Sequence, residues 1–342
     1  MRPPARWADA AARPDHPERS RSRALRTLRV VSTPSVDPLE PLAQLPGVPE
    51  AVAEARRAVD RLYGHRVMRR RAAEVTSESA LRGARASAAL DGADWPLEEV
   101  RRRTDFGSDP QARTVGAALR LNAEAGQLLG TWRHSPLQVL ARLHLLAVGD
   151  QSTAPGAGPE AGAGRPRQGG EQAADVFGPD LAAAEGVAAP TGAEAADAPA
   201  YPLPSAPSAD EAAARLDGLA HLLVARGGKK HPNERTAPAL VVAAVVHGEL
   251  MTLRPFGTHN GLVARAAQRV VLIAEGLDPQ AICPLEVGLV ELGTDAYRNA
   301  LGGYAAGTAE GMALWITHCA SALRLGVRES TAVCEAMQRG MV

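Results

Sequence analysis

The sequence predicts a mainly α-helical chain, and three observations carry the prediction. Apolar residues recur at spacings of three and four between charged ones along most of the 342 residues. No stretch alternates apolar and polar side chains over the length of a strand. Glycine and proline fall where helices should stop and start, as at Gly92 and Pro96. With 45% hydrophobic residues the chain can bury a sizeable core.

The elements follow in chain order. Residues 1–29 are rich in Arg, Pro and Ala, and residues 1–46 as a whole read as a disordered basic tail. Val52, Val59, Leu62, Val67 and Met68 predict a helix over 48–71. A second helix is expected over 77–90 and stops at Gly92, a residue free to take positive φ. Pro96 precedes a short helix at 97–103, and two more helices are expected at 112–129 and 136–147. Leu137, Leu140, Leu143 and Leu146 give the last of these an apolar stripe.

From about residue 151 to 200 the composition shifts to Ala, Gly and Pro, which predicts a flexible insert with room for a small β-hairpin. An amphipathic helix is expected at 210–226. Residues 238–253, apolar nearly all round, predict a buried central helix. After a loop at 254–261 come helices at 262–275, 297–304 and 309–325, with 326–342 left as a C-terminal tail. The expected organisation is therefore the tail, an N-terminal helical region at 47–130, a domain at 131–325 broken by the insert, and the C-terminal tail.

Composition sets limits on partners. Formal charge is zero, so no global field draws the chain to nucleic acid or an anionic membrane. Only two of the 38 basic residues are lysines, a skew expected from GC-rich coding. Cys283, Cys319 and Cys334 have no close-pair metal spacing and form no disulfide framework, which fits a reducing cytoplasm. No apolar run reaches the roughly 18 residues of a membrane span.

The segment with chemistry in it is the 254–261 loop. Joining a buried helix to the N-terminus of the next, it suits an anion, because free N–H groups and the helix dipole both favour negative charge. Asn260 and Gly261 stand at that N-terminus, and Arg265 lies one turn along it. An Asn-Gly helix start serves equally well for capping alone.

The surrounding residues carry a resemblance. Ala244-Val245-Val246-His247-Gly248-Glu249-Leu250-Met251-Thr252-Leu253-Arg254-Pro255-Phe256 has the spacing of A-x-x-H-x-x-F-x-x-I-H-P-F, and Asn260, Gly261 and Arg265 fit the following x-D/E-G-N-G-R-x-x-R. Ser87-Ala88-Ala89-Leu90-Asp91-Gly92 is similar to S/T-x-x-x-E-G/N, and Gly164-Arg165-Pro166-Arg167 to a G-x-x-R element. These are marks of the Fic (Fido-domain) family, which the chain resembles from about residue 75 to 325. The resemblance implies a Fido-type helical domain with a flap and an N-terminal inhibitory helix. It further implies transfer of AMP from ATP to a protein hydroxyl, with Mg²⁺ bridging the phosphates.

This chain departs from that pattern at the chemistry. Arg254 stands where the family's proton-accepting His belongs, and a guanidinium stays protonated. Thr258 replaces the metal-binding acid, so no metal ligand is expected, and Leu262 replaces the first motif Arg. Arg254 either points a fixed charge into a former phosphate pocket or marks drift in an unused site. His259 is expected as a solvent-facing loop histidine, with a substitute base as the alternative, and His247 as a hydrogen-bonded core residue. By resemblance Ser87, Asp91 and Gly92 form the inhibitory motif, with Asp91 pairing to Arg265.

The expected function is a pseudoenzyme that binds an unnamed protein or a nucleotide, with no certain cofactor. The alternative is a transferase with altered residues, using ATP and Mg²⁺. A purely scaffolding role would place partner contacts on the Arg-rich N-terminal region or the insert.

Overall fold

A computed structural model describes residues 37–107, 109–149, 162–177, 201–227 and 236–341. Twelve α-helices and two short 3-10 turns occur among them, and no strand. The expected hairpin therefore has no counterpart in the described part of the insert, and residues 178–200 lie outside it, as do residues 1–36 and 150–161.

The first helices form a layer over the rest. Helix α1 (Val48–Tyr63) has Pro49 and Glu50 in its first turn and Arg61 in its last, which suits the helix dipole. It ends at Gly64, and α2 (Met68–Leu90) begins four residues later with a kink at Arg71. The sequence merges 48–71 because the apolar spacing carries across the bend. The true break at 64–67 separates the two helices, and α2 packs on α4 (Pro110–Glu124). Helix α3 (Leu97–Arg102) follows Pro96, and α4 is capped by the Asp109 side chain, which accepts the Ala112 N–H at 2.8 Å. Short α5 (Leu129–Trp132) leads to α6 (Pro136–Val148).

The second half holds the core. Helix α7 (Ala209–Arg226) starts at Ser208, whose hydroxyl accepts the Glu211 N–H. Helix α8 (Ala239–Leu253) is buried nearly all round, as its apolar sequence dictates, and packs most extensively on α9 (Asn260–Ala274). Helices α4 and α6 lie against α9. Helices α10 (Leu285–Leu292) and α11 (Thr294–Ala306) pack with α12 (Ala309–Gln338), which also contacts α8 and runs along α1.

Four expectations are corrected. Residues 326–342 are not a tail: α12 continues to Gln338 and buries Val327, Val333, Cys334 and Met337. Residues 37–46 are not tail either, since Leu39 and Ala43 are buried and Asp37 pairs with the buried Arg226 guanidinium. Residues 162–177 of the insert are placed, with Val176 and Phe177 in the core. Finally, all the described residues fall in one compact unit, so no domain boundary lies near residue 130.

Candidate functional site

Both ends of the 254–259 loop are held in backbone conformations that non-glycine residues seldom adopt. Arg254 ends α8 with φ 45° and ψ 62°, and His259 precedes α9 with φ 58° and ψ 18°. Between them the Asn260 amide closes the turn. Its Oδ1 accepts the Phe256 N–H at 2.9 Å and its Nδ2 donates to the Phe256 carbonyl at 2.7 Å. That side chain therefore braces the loop.

Residues 162–177 form a strap across this loop. Arg167 N–H donates to the Pro255 carbonyl at 2.7 Å and Ala174 N–H to that of Gly257 at 2.9 Å. The buried Arg167 guanidinium donates to the carbonyls of Leu253, Arg254, Glu171 and Pro207. It thus caps the C-terminus of α8, where a positive charge is favoured. Phe256 is buried and stacks on His144 at 4.2 Å, and His144 Nδ1 accepts the Gly164 N–H at 2.9 Å. Burial first, and His259 second, hold the His144 pKa down at about 4.

Arg254 is 7% exposed. Its Nη1 lies 3.3 Å from Asp175 Oδ1 and its Nη2 donates to the Pro204 carbonyl at 3.3 Å. Burial lowers its pKa, with Arg167 adding to that effect and Asp175 opposing it. Thr258 Oγ1 lies 2.8 Å from His259 Nδ1. Leu262, in the first turn of α9, is 1% exposed and belongs to the core.

Arg265 lies beneath the loop with no side-chain exposure. Its Nε donates to Ser87 Oγ at 2.8 Å, and its Nη2 donates to the Ser87 carbonyl at 3.0 Å and to Asp91 Oδ1. Burial works against its charge, but Asp91 and Tyr297 outweigh it and raise the pKa. Asp91 is presented by the end of α2, where Gly92 takes φ 89°. The Gly92 and Ala93 N–H groups bond back to Ala89 and Ala88. This is a Schellman turn that requires the glycine.

Gly261 is where these parts meet. A Cβ there would lie 2.7 Å from the Val176 carbonyl oxygen and 2.8 Å from Asp91 Oδ1. The start of α9 therefore faces two acceptor oxygens of the protein itself, with Arg265 Nη1 at 3.0 Å beside them. His247 stands apart from the loop, fully buried, with Nε2 2.6 Å from the Tyr297 hydroxyl. Burial and then Arg265 push its pKa well down.

The fold thus brings Asp91, Ser87, Gly261 and Arg265 together, and sets Arg254 and Thr258 on the strap side of the loop. A cavity of about 380 Å³ opens beside Thr258 and Gly257, lined also by His144, Arg165, Glu171 and Gln172. The Arg165–Glu171 ion pair crosses it at 2.7 Å. Sequence reasoning missed Asp175, Val176 and His144, which carry no local signal. Arg167 is present in Gly164-Arg165-Pro166-Arg167, but its capping role is not legible there.

No family model and no curated protein matches the sequence. Among solved structures the chain is similar to a Fic family protein from Desulfovibrio desulfuricans, at 21% identity and TM-score 0.55, over 83% of this chain and 74% of that one. It is also similar to a segment of Fic-1 from C. elegans, at 12% identity and TM-score 0.53, over 84% of this chain and 73% of that one. These likenesses are in architecture, and they agree with the marks read from the sequence at 244–265 and 87–92: the described helices adopt the Fic-family (Fido) fold.

Proposed function

We propose that this chain is a Fic-family pseudoenzyme, without ordinary AMP transfer, that acts by binding a partner protein. The observation that carries the proposal is the start of α9, where the Val176 carbonyl and the Asp91 carboxylate face Gly261. An anion placed there would meet two acceptors, one of them negatively charged, against a single donor, Arg265 Nη1, 3.0 Å from the same point. The Asn260 amide is bonded to Phe256, and Nε and Nη2 of Arg265 are bonded to Ser87 and Asp91.

The residues present do not suit a magnesium-bound triphosphate. Thr258 offers at best one neutral oxygen, and its hydroxyl is hydrogen-bonded to His259. No group of three His, Cys, Asp or Glu side chains able to hold a metal occurs among the described residues. No base stands at position 254, since Arg254 is a buried cation engaged with Asp175 and Pro204. The alternative of a transferase with altered residues needs Arg254 and Arg265 turned to a phosphorylated substrate, and the geometry favours it less because Asp175 and the Pro204 carbonyl hold Arg254 while Ser87 and Asp91 hold Arg265.

The test is calorimetric titration of MgATP into the full chain, with an assay for transfer of labelled AMP to protein alongside. No binding tighter than about 1 mM is expected for the wild type, and no transfer. Metal-dependent labelling of any protein by the wild-type chain would overturn the proposal.

A further inference from the structure

An open groove lies away from the motif, between α1 and the second half of α12, and is lined also by Leu292 of α10. Its volume is about 750 Å³. Leu62, Leu292 and Leu325 give it an apolar floor, whereas Arg61, Arg324 and Arg328 rise from its walls against one carboxylate, Glu335. Two of those arginines are partly balanced, Arg324 by Glu54 at 2.7 Å and Arg328 by Glu291. Arg61 has no carboxylate partner among the described residues.

The positive charge continues outside the groove. Arg57 precedes Arg61 by one turn on α1, and Arg66, Arg69 and Arg70 follow at the corner into α2. All four are exposed, and none pairs with a carboxylate among the described residues. Five guanidiniums with no carboxylate partner among the described residues therefore lie along α1 and the corner that follows it, and Arg61 among them lines the groove.

We propose that this groove docks an acidic segment of a partner protein, with aliphatic side chains on the floor and carboxylates facing Arg57, Arg61 and the α1–α2 corner. Charge complementarity selects the acidic partner, and the floor selects one that carries apolar residues among its acids. A nucleic acid fits less well. Glu54, Glu291 and Glu335 interrupt the basic rim that a continuous phosphate chain would follow, and no Phe, Tyr or Trp lines the groove for base stacking. The proposal supplies a surface for the partner binding put forward above but uses none of the residues of the motif site. Failure of either reading leaves the other intact.

The experiment uses a random peptide library displayed on phage, selected on the full chain and counter-selected on the Arg61→Glu/Arg328→Glu variant. Both substitutions lie at exposed positions, and circular dichroism checks that the variant is folded. Enriched peptides should carry Asp or Glu around Leu, Ile or Phe. By fluorescence anisotropy their Kd should weaken roughly tenfold or more in the variant, and also as salt is raised. The milder Arg61→Gln/Arg328→Gln variant should fall between the two. Enrichment without acidic residues, or equal affinity for the charge-reversed variant, would overturn the proposal. So would a short DNA duplex that binds more tightly than the selected peptides and loses affinity through the same substitutions.

Discussion

At position 265 a guanidinium is buried completely, yet it keeps its charge because Asp91, Ser87 and the Ser87 carbonyl surround it. Such a pair contributes less by existing than it costs to break, since the surviving partner is left charged in a place water reaches poorly. Asp91→Ala should therefore destabilise the fold by about 3 kcal/mol or more in urea unfolding, by stranding Arg265. The double substitution Asp91→Ala/Arg265→Met should recover a large part of that loss, because it removes both charges. Stability of Asp91→Ala within about 0.5 kcal/mol of wild type would contradict this account. Position 262 behaves differently. Restoring the family's arginine there places a charge at a site only 1% exposed. Leu262→Arg should cost about 3 kcal/mol or more and lower the urea midpoint well below that of Thr258→Asp, whose site is half-buried. Equal midpoints would show that the arginine finds an exit to solvent.

Among the elements, the strap at 162–177 is the one whose order is least expected from its composition. It has few large apolar residues, and its placement comes from contacts with a distant part of the chain. These are the main-chain bonds to Pro255 and Gly257, the Arg167 guanidinium on the end of α8, and Phe177 packed edge-on against Tyr297 at 4.9 Å. Gly261 permits this approach by lacking a Cβ. Gly261→Ala should push the Val176 carbonyl away at a cost of about 1–3 kcal/mol. Amide hydrogen exchange at Ala174, which bonds to Gly257, should accelerate in that variant more than exchange within α8 does. Unchanged protection at Ala174 would mean that the strap absorbs the methyl without moving. The helices themselves were legible, because spacing alone marks α1, α6, α7 and α8. Even the missed end of α12 had its signal, since Leu323, Val327, Ser330, Cys334 and Met337 recur at spacings of three and four and are all buried. The charges between them hid it. The break at 64–67 had no comparable mark, because Val67 and Met68 keep the helical phase across it.

In the molecule as a whole, burial depresses the pKa of several histidines together. His144 and His318 are held at about 4, against the ordinary 6.5, and His247 lies well below its ordinary value. Each is neutral when folded, so the unfolded chain binds more protons between pH 6.5 and 4, and stability falls as pH drops through that window. The loss should reach about 1–3 kcal/mol each for His144 and His318 and be complete near their folded pKa of about 4. Urea unfolding at pH 7, 5.5 and 4.5 measures it, and His144→Gln should flatten part of the slope. A stability constant from pH 7 to 5 would show that these side chains are not buried neutral. The sequence by itself determined the helical class, the buried character of α8 and the loop that joins it to α9, because hydrophobic spacing and glycine or proline placement act over neighbouring residues. It also determined that positions 254, 258 and 262 depart from the resemblance. The pairing of Asp91 with Arg265 was implied by the resemblance, and only the tertiary structure decided that Ser87 joins it, that Asn260 braces the loop and that Val176 faces Gly261. Those contacts depend on where remote segments pack, and no local pattern encodes that.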